Sequence, residues 1–328
     1  MNRVNPLLLV GGLAACAPDA ADSGPEVDSG IDALDLRLTE ADYDPADVQL
    51  WGPDVVIEPG EDIMYCIAGT WSGEDLGIHT LTTWQNKFGH HLQFYELTLS
   101  TIEWPDDEVH ACGVGTDFDM TDTLPVGVPT AVWLGGEQTI DNPLAEGMAF
   151  SFDGGRRYLL QAHYVNTGDQ AVRSKDVVTF ATLDPETEVT TWAAPVILNN
   201  GNVDIPAASE GHMRFDCAMD QEMSVLFANG HMHEWGTSFT MTQTRADVAR
   251  VLNTVPTWQA YYRDAPPTDY FDPGELSLAP GDTLTTECNW MNTTDESIAF
   301  PHEMCDGVMI GYPLKTTWIC DSDEGMLP

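Results

Sequence analysis

Nothing in this chain sustains a helical repeat, and that absence decides most of what it can fold into. Short runs rich in Val, Ile, Thr, Phe, Tyr and Trp alternate with clusters of Gly, Pro, Asn and Asp at intervals of roughly ten residues. Asp54–Ile57 runs into Glu58-Pro59-Gly60, Tyr158–Val165 runs into Asn166-Thr167-Gly168-Asp169, and Met223–Phe227 forms another compact run. This punctuation predicts an all-β chain of antiparallel sheets packed face to face. At about 150 residues per domain, the length of 328 residues suggests two domains. The polar stretch Asp184-Pro185-Glu186-Thr187-Glu188 is the expected connection, giving two tandem β-sandwich domains at residues 49–186 and 187–328. A weak internal repeat relates Pro59-Gly60-Glu61 ahead of Cys66 to Pro280-Gly281-Asp282 ahead of Cys288.

Charge removes several classes of partner. The chain carries 53 acidic and 12 basic residues, a formal net charge of −41. Its only lysines are Lys87, Lys175 and Lys315. Such a potential repels phosphate backbones and anionic lipid headgroups. Nucleic acid is therefore excluded, and a small anion would need a local cationic site.

The first residues read as an export signal. Arg3 precedes the apolar run Leu7-Leu8-Leu9-Val10, continued by Gly11-Gly12-Leu13-Ala14-Ala15. A bilayer-crossing helix needs about 20 apolar residues, so this run is too short to span. Leu13-Ala14-Ala15-Cys16 resembles a bacterial lipobox, in which the cysteine takes the lipid. Residues 1–16 are thus the expected lipoprotein signal, and 17–48, with ten Asp or Glu and one Arg, an acidic flexible tether. The expected location is the bacterial cell envelope, at the periplasm or outer-membrane face, touching the membrane only through that lipid. Six further cysteines suit an oxidising compartment and argue for disulfides. If each half is a domain, Cys66 pairs with Cys112, while the pairing among Cys217, Cys288, Cys305 and Cys320 stays open.

The histidines carry the chemistry. In Gly230-His231-Met232-His233, positions i and i+2 of a strand project from one face. His231 and His233 can thus hold one ion while Met232 points away. In Gly89-His90-His91, neighbouring side chains would diverge on a regular strand, so joint ligation needs a bulge or strand end, for which Gly89 is suited. In Tyr158–Val165, Gln161 and His163 share one face, and Tyr158, Leu160, Ala162 and Tyr164 the other. Met304 lies in His302-Glu303-Met304-Cys305, beside a cysteine expected in a disulfide. Its thioether is a soft donor that suits cuprous copper and not zinc, calcium or magnesium. His302 shares the parity of Met304 and is a second candidate there, as supporting partner or as ligand.

The order His-His, Gln-x-His-Tyr, His-x-His, Glu-Met-Cys resembles the type II, ascorbate-dependent copper monooxygenases, the group of the peptidylglycine and dopamine β-monooxygenases. The resemblance covers roughly residues 40–325. It implies two jelly-roll-like sandwiches, each supplying one copper. It further implies an electron-transfer copper on His90, His91 and His163 with Gln161 nearby, and an oxygen-binding copper on His231, His233 and Met304. It implies the disulfides Cys66–Cys112, Cys217–Cys320 and Cys288–Cys305, and a reaction in which dioxygen and two external electrons hydroxylate an activated C–H bond of a small substrate.

Departures from that pattern bear on substrate and donor. Peptide-amidating members carry an Arg where this chain has Asn229, and Asn and Tyr where it has Asp306 and Val308. A peptide carboxylate beside Asp306 is electrostatically unfavourable, so amidation of peptides is not expected. Ascorbate is an anion, repelled within a Debye length of about 8 Å at physiological salt; a neutral quinol or a redox protein is the expected donor. A non-catalytic copper-binding or electron-transfer lipoprotein would need the same ligands without a substrate cleft. A structural sandwich with zinc-binding or vestigial histidines is the remaining class.

Overall fold

The computed structural model describes residues 48–85, 88–97, 104–112, 130–134, 144–183, 188–263, 266–300 and 302–322. The expected signal with Cys16, the tether up to residue 47, and residues 184–187 of the expected connection lie outside them. In chain order the first half contains β1 (Val48–Ile57), β2 (Asp62–Thr70), β3 (Leu76–Trp84), β4 (Gly89–Leu97), β5 (Val109–Ala111), β6 (Thr130–Leu134), β7 (Met148–Phe152), β8 (Arg157–Val165) and β9 (Val172–Thr182). The second half contains β10 (Thr191–Asn199), β11 (Asp204–Ile205), β12 (Glu210–Ala218), β13 (Met223–His231), β14 (Gly236–Arg245), β15 (Val248–Val255), β16 (Thr268–Tyr270), β17 (Leu276–Leu278), β18 (Thr283–Met291), β19 (Ile298–Ala299), β20 (Asp306–Tyr312) and β21 (Trp318–Asp321). A single 3-10 turn, Ala260–Arg263, is the only helical piece among the described residues. The all-β expectation holds.

Alternation explains the layers. In β12 the burial alternates residue by residue, so Met213, Phe215 and Cys217 face inward between exposed neighbours. The sheet β12-β18-β14-β15 packs this face against β10, β20 and β13, with Phe239, Met241 and Leu284 meeting Val196, Leu198, Ala228 and Met309. In the first half, the sheet β5-β2-β8-β4-β6 turns Phe94, Leu160 and Tyr164 onto Ile57, Val178 and Phe180 of β1 and β9. Each fully buried side chain of this kind contributes about 1.5–3 kcal/mol. Met148–Phe150 runs parallel to Thr191–Ala193, so β7 and β10 join strands of both halves into one sheet, β1-β9-β3-β7-β10-β20-β13-β16.

The halves repeat one another in topology. The order β2-β8-β4-β6 is matched by β12-β18-β14-β15, and the pair β1–β9 by β11–β19. Each repeat is locked by one buried asparagine just after its central strand. Asn166 Nδ2 donates to the carbonyls of Ile57 and Gln170, and its Oδ1 accepts from Gly168 N. Asn292 Nδ2 donates to Ile205, Pro206 and Glu296, and its Oδ1 accepts from Thr294 N. The sequence repeat that matters is therefore Asn166-Thr167-Gly168-Asp169 with Asn292-Thr293-Thr294-Asp295. The Pro-Gly pairing noted above joins β2 to β18, which do not correspond.

Three disulfides close the fold: Cys66–Cys112, Cys217–Cys320 and Cys288–Cys305. They are the pairs that the resemblance implies, and they mark an oxidising compartment.

Asp282 is a buried charge with a measurable signature. Its carboxylate accepts from Arg245 Nε and Nη2 at 2.7 and 2.6 Å, from Gln243 Nε2 at 2.7 Å and from Ala279 N at 2.9 Å. The Arg245 guanidinium above all holds its pKa down to about 2. A depressed folded-state pKa stabilises above the unfolded value near 4 and is lost as pH falls toward 2. Acid titration of stability should therefore show a loss of roughly 1–2 kcal/mol between pH 4 and 2 that Asp282→Asn lacks. Identical acid limbs for the two proteins would contradict this.

Candidate metal centre

The first-half candidates lie on β4 and β8. Between Gly89 and His91 the β4–β8 register slips, Gly89 pairing with Tyr164 and His91 with His163, so the extra residue, His90, sits in a bulge. That is the backbone device a His-His doublet needs to serve one centre. The side chains of His90 and His91 lie outside the described ones. On the face of this sheet opposite Leu160 and Tyr164 sit Gln161 and His163, both buried, beside the cluster of Leu159, Tyr95 and the Cys66–Cys112 disulfide. His163 Nε2 lies 2.6 Å from Asp62 Oδ1. Gln161 Nε2 lies 3.9 Å from the sulfur of Cys66 and 3.9 Å from that of Cys112, so it rests on the disulfide two residues along the strand from His163.

The second-half candidates meet where β13 ends. Gly230 lets β13 lie directly on the ring of Phe239, which stands 2.4 Å from where a Cβ would be. His231 is buried, Met232 faces the core as expected, and His233 follows beyond the strand. The two rings lie nearly perpendicular, at 83°, with their Nε2 atoms 3.2 Å apart. His233 Nδ1 is 3.0 Å from the backbone carbonyl of His302. A carbonyl only accepts, so Nδ1 carries the proton and Nε2 of the neutral ring carries a lone pair. Burial holds the His231 pKa well below the ordinary histidine value, and the neighbouring His233 and Arg263 push it further down. The His231 imidazole is therefore available as a neutral donor.

This spacing fits a bound ion. Two imidazole nitrogens each about 2.0 Å from one metal at a near-tetrahedral angle lie roughly 3.3 Å apart. The same spacing suits a proton shared between the rings. Among the described residues, no three His, Cys, Asp or Glu side chains converge as a metal cage. A third protein donor at the His231–His233 pair would have to be of another kind, and Met304 is the candidate the sequence supplies.

Glu303 holds that methionine in place. Its buried carboxylate accepts from the amides of His233 and Met304 through Oε1 and from the amide of Trp235 through Oε2. Burial pushes its pKa up to about 7, although those three backbone donors pull it down. One carboxylate thus clamps both candidate ligand residues. The register agrees: the β13–β20 ladder ends with His231 opposite Asp306, so the chain leaving β13 and the chain entering β20 meet at Glu303. Cys305, next to Met304, is fixed by its disulfide to Cys288. Trp258 Nε1 donates to the His233 carbonyl at 2.9 Å, and Arg263 pairs with Glu234.

The candidate substrate residues share a face with His231. Asn229 pairs with Val308 and His231 with Asp306, and cross-strand partners project to one side. Asn229, Val308 and Asp306 are half-buried, whereas Ala228, Gly230, Gly307 and Met309 between them turn to the core. Asn229 Nδ2 donates to Thr268 Oγ1 at 3.1 Å. His302 serves the site through its backbone carbonyl, while its own ring is exposed. Asp62 was not marked by any pattern in the sequence, and Glu303 stood in the Glu-Met-Cys element without a role of its own; both are ordinary carboxylates until the fold brings them to a histidine.

No family model matches the chain, and no curated relative matches it. Among solved structures, infectious bursal disease virus Gx strain is similar over 81% of this chain and 72% of the viral one, at 9% identity and a TM-score of 0.18. The Gt strain of that virus covers 81% and 80%, at 11% identity and a TM-score of 0.10. Likenesses this faint carry no argument.

Proposed function

We propose that this chain is a copper-dependent monooxygenase that hydroxylates an activated C–H bond of a small substrate. The observation that carries the reading is the pair of Nε2 atoms facing each other at 3.2 Å, with the backbone amides of His233 and Met304 both donating to Glu303. Two imidazoles and a thioether make a soft donor set, which favours cuprous copper over zinc. His90, His91 and His163 would hold a second copper, each ion in a sandwich of jelly-roll type. Copper, when bound, supplies one-electron redox chemistry and the activation of dioxygen. Overall, C–H, O2, two electrons and two protons give C–OH and water.

The chain's own residues do the rest. His231 and His233 present their Nε2 atoms, and Glu303 ties the backbones of His233 and Met304 together. Asn229, Val308 and Asp306 offer a half-buried floor on which a substrate can lie beside His231. Asp306 disfavours a carboxylate there, so a peptide amidase is not proposed. The electron donor is a neutral quinol or a redox protein in preference to ascorbate. The chain is exported and held at the cell envelope by a lipid on Cys16.

Metal analysis of protein purified from the periplasm, paired with oxygen uptake, tests this. Two coppers per chain and uptake that depends on a C–H substrate are expected. Copper without substrate-coupled uptake would favour a non-catalytic electron-transfer protein, and zinc or no metal would end the proposal.

A further inference from the structure

Asp62 opens β2, and its carboxylate reaches across to the ring of His163 on β8, with Oδ1 2.6 Å from Nε2. The environments of the partners differ sharply. The His163 side chain is 9% exposed and that of Asp62 70%. An ionised carboxylate accepts and cannot donate, so Nε2 carries the ring proton and the lone pair of the neutral imidazole sits on Nδ1. A histidine whose one nitrogen donates to a carboxylate is oriented and made more basic at the other, the arrangement that supports ligating histidines in metal sites.

We infer that Asp62 is the positioning residue of the first-half metal centre, fixing His163 as the Nε2–H tautomer and so making Nδ1 its metal-binding atom. This rests on the copper reading above. The outer partners of the two halves differ, a carboxylate for His163 and the His302 carbonyl for His233. A surface ion pair with no part in metal binding would contribute little and would not touch the copper.

The test uses the full-length protein with Asp62→Ala and Asp62→Asn. Cu(I) affinity is read by competition with a chromogenic chelator, and pulsed EPR of the Cu(II)-loaded protein reads the remote imidazole nitrogens. Melting temperature is followed alongside. Asp62→Ala is expected to weaken one of the two coppers by roughly 10–100-fold and to change the remote-nitrogen signal, with melting nearly unaltered because the side chain is exposed. Asp62→Asn, whose amide oxygen still accepts from Nε2–H, should fall closer to the wild type. Two coppers bound by Asp62→Ala with wild-type affinity and an unchanged signal would overturn the role of Asp62 and leave the copper reading standing. A wild-type protein that takes up no copper would remove both.

Discussion

Replacing His233 with alanine is expected to remove one of two coppers and to lower substrate-coupled oxygen uptake by roughly a thousandfold or more. The residue lies beyond the end of β13, so its loss takes away one of the two facing nitrogens without opening the core. The backbone amide at 233 still reaches Glu303, because that bond does not involve the ring. The protein should therefore melt near the wild-type temperature while its oxygen chemistry is gone. Met304→Leu makes the complementary case. It keeps the side-chain volume but removes the soft donor, so Cu(I) should be weakened more than Cu(II). If His233→Ala retained two tightly bound coppers and full turnover, the metal would not sit between these rings.

Some of this site is readable from spacing alone, and some is not. The inward turn of Met232 next to His231 follows the alternation of a strand, although β13 ends at His231 and His233 lies just beyond it. The sharing of one face by Gln161 and His163 follows the same alternation. The doublet at 90–91 demanded an irregularity, and the slip in register after Gly89 supplies it. Register between distant strands cannot be read this way. Nothing local to residues 303–306 says that they will lie beside His231 and His233, about seventy residues earlier; the fold decides that by pairing β13 with β20. Asp62 escaped notice for the same reason, as did what Glu303 binds. A carboxylate becomes a histidine's partner only through what it meets across the sheet, 101 residues away for Asp62 and 70 for Glu303.

The architecture shows the same division. Turn punctuation gives the all-β class, because it reflects local backbone preference. The internal repeat was harder. Pro-Gly turns recur wherever strands reverse, so matching two of them joined strands that do not correspond. The buried asparagines discriminate better, since each satisfies two or more backbone carbonyls at a place that only the topology defines. One sheet running through both halves by way of β7 and β10 left no mark in composition at all.

Glu303 is where stability and function are joined most tightly, and its replacement should show both. Glu303→Ala strips acceptors from three amides, those of His233, Trp235 and Met304, at a position with no solvent exposure. Buried donors left without partners are each penalised by about 1–3 kcal/mol. A total loss of about 3–5 kcal/mol and a fall of about 10 °C in melting temperature are expected. Glu303→Gln separates the two roles. Its one carbonyl oxygen can still serve His233 and Met304, but its amide group meets the Trp235 N–H donor to donor. Stability should then drop by about half as much as in the alanine variant, while the copper between His231 and His233 weakens roughly tenfold as the two ligand residues lose their common anchor. Thermal melting and chelator competition on the same samples measure both effects. A glutamine variant that melts and binds copper like the wild type would mean that this carboxylate does not hold the centre together, and that the disulfide from Cys288 to Cys305 is enough to place Met304.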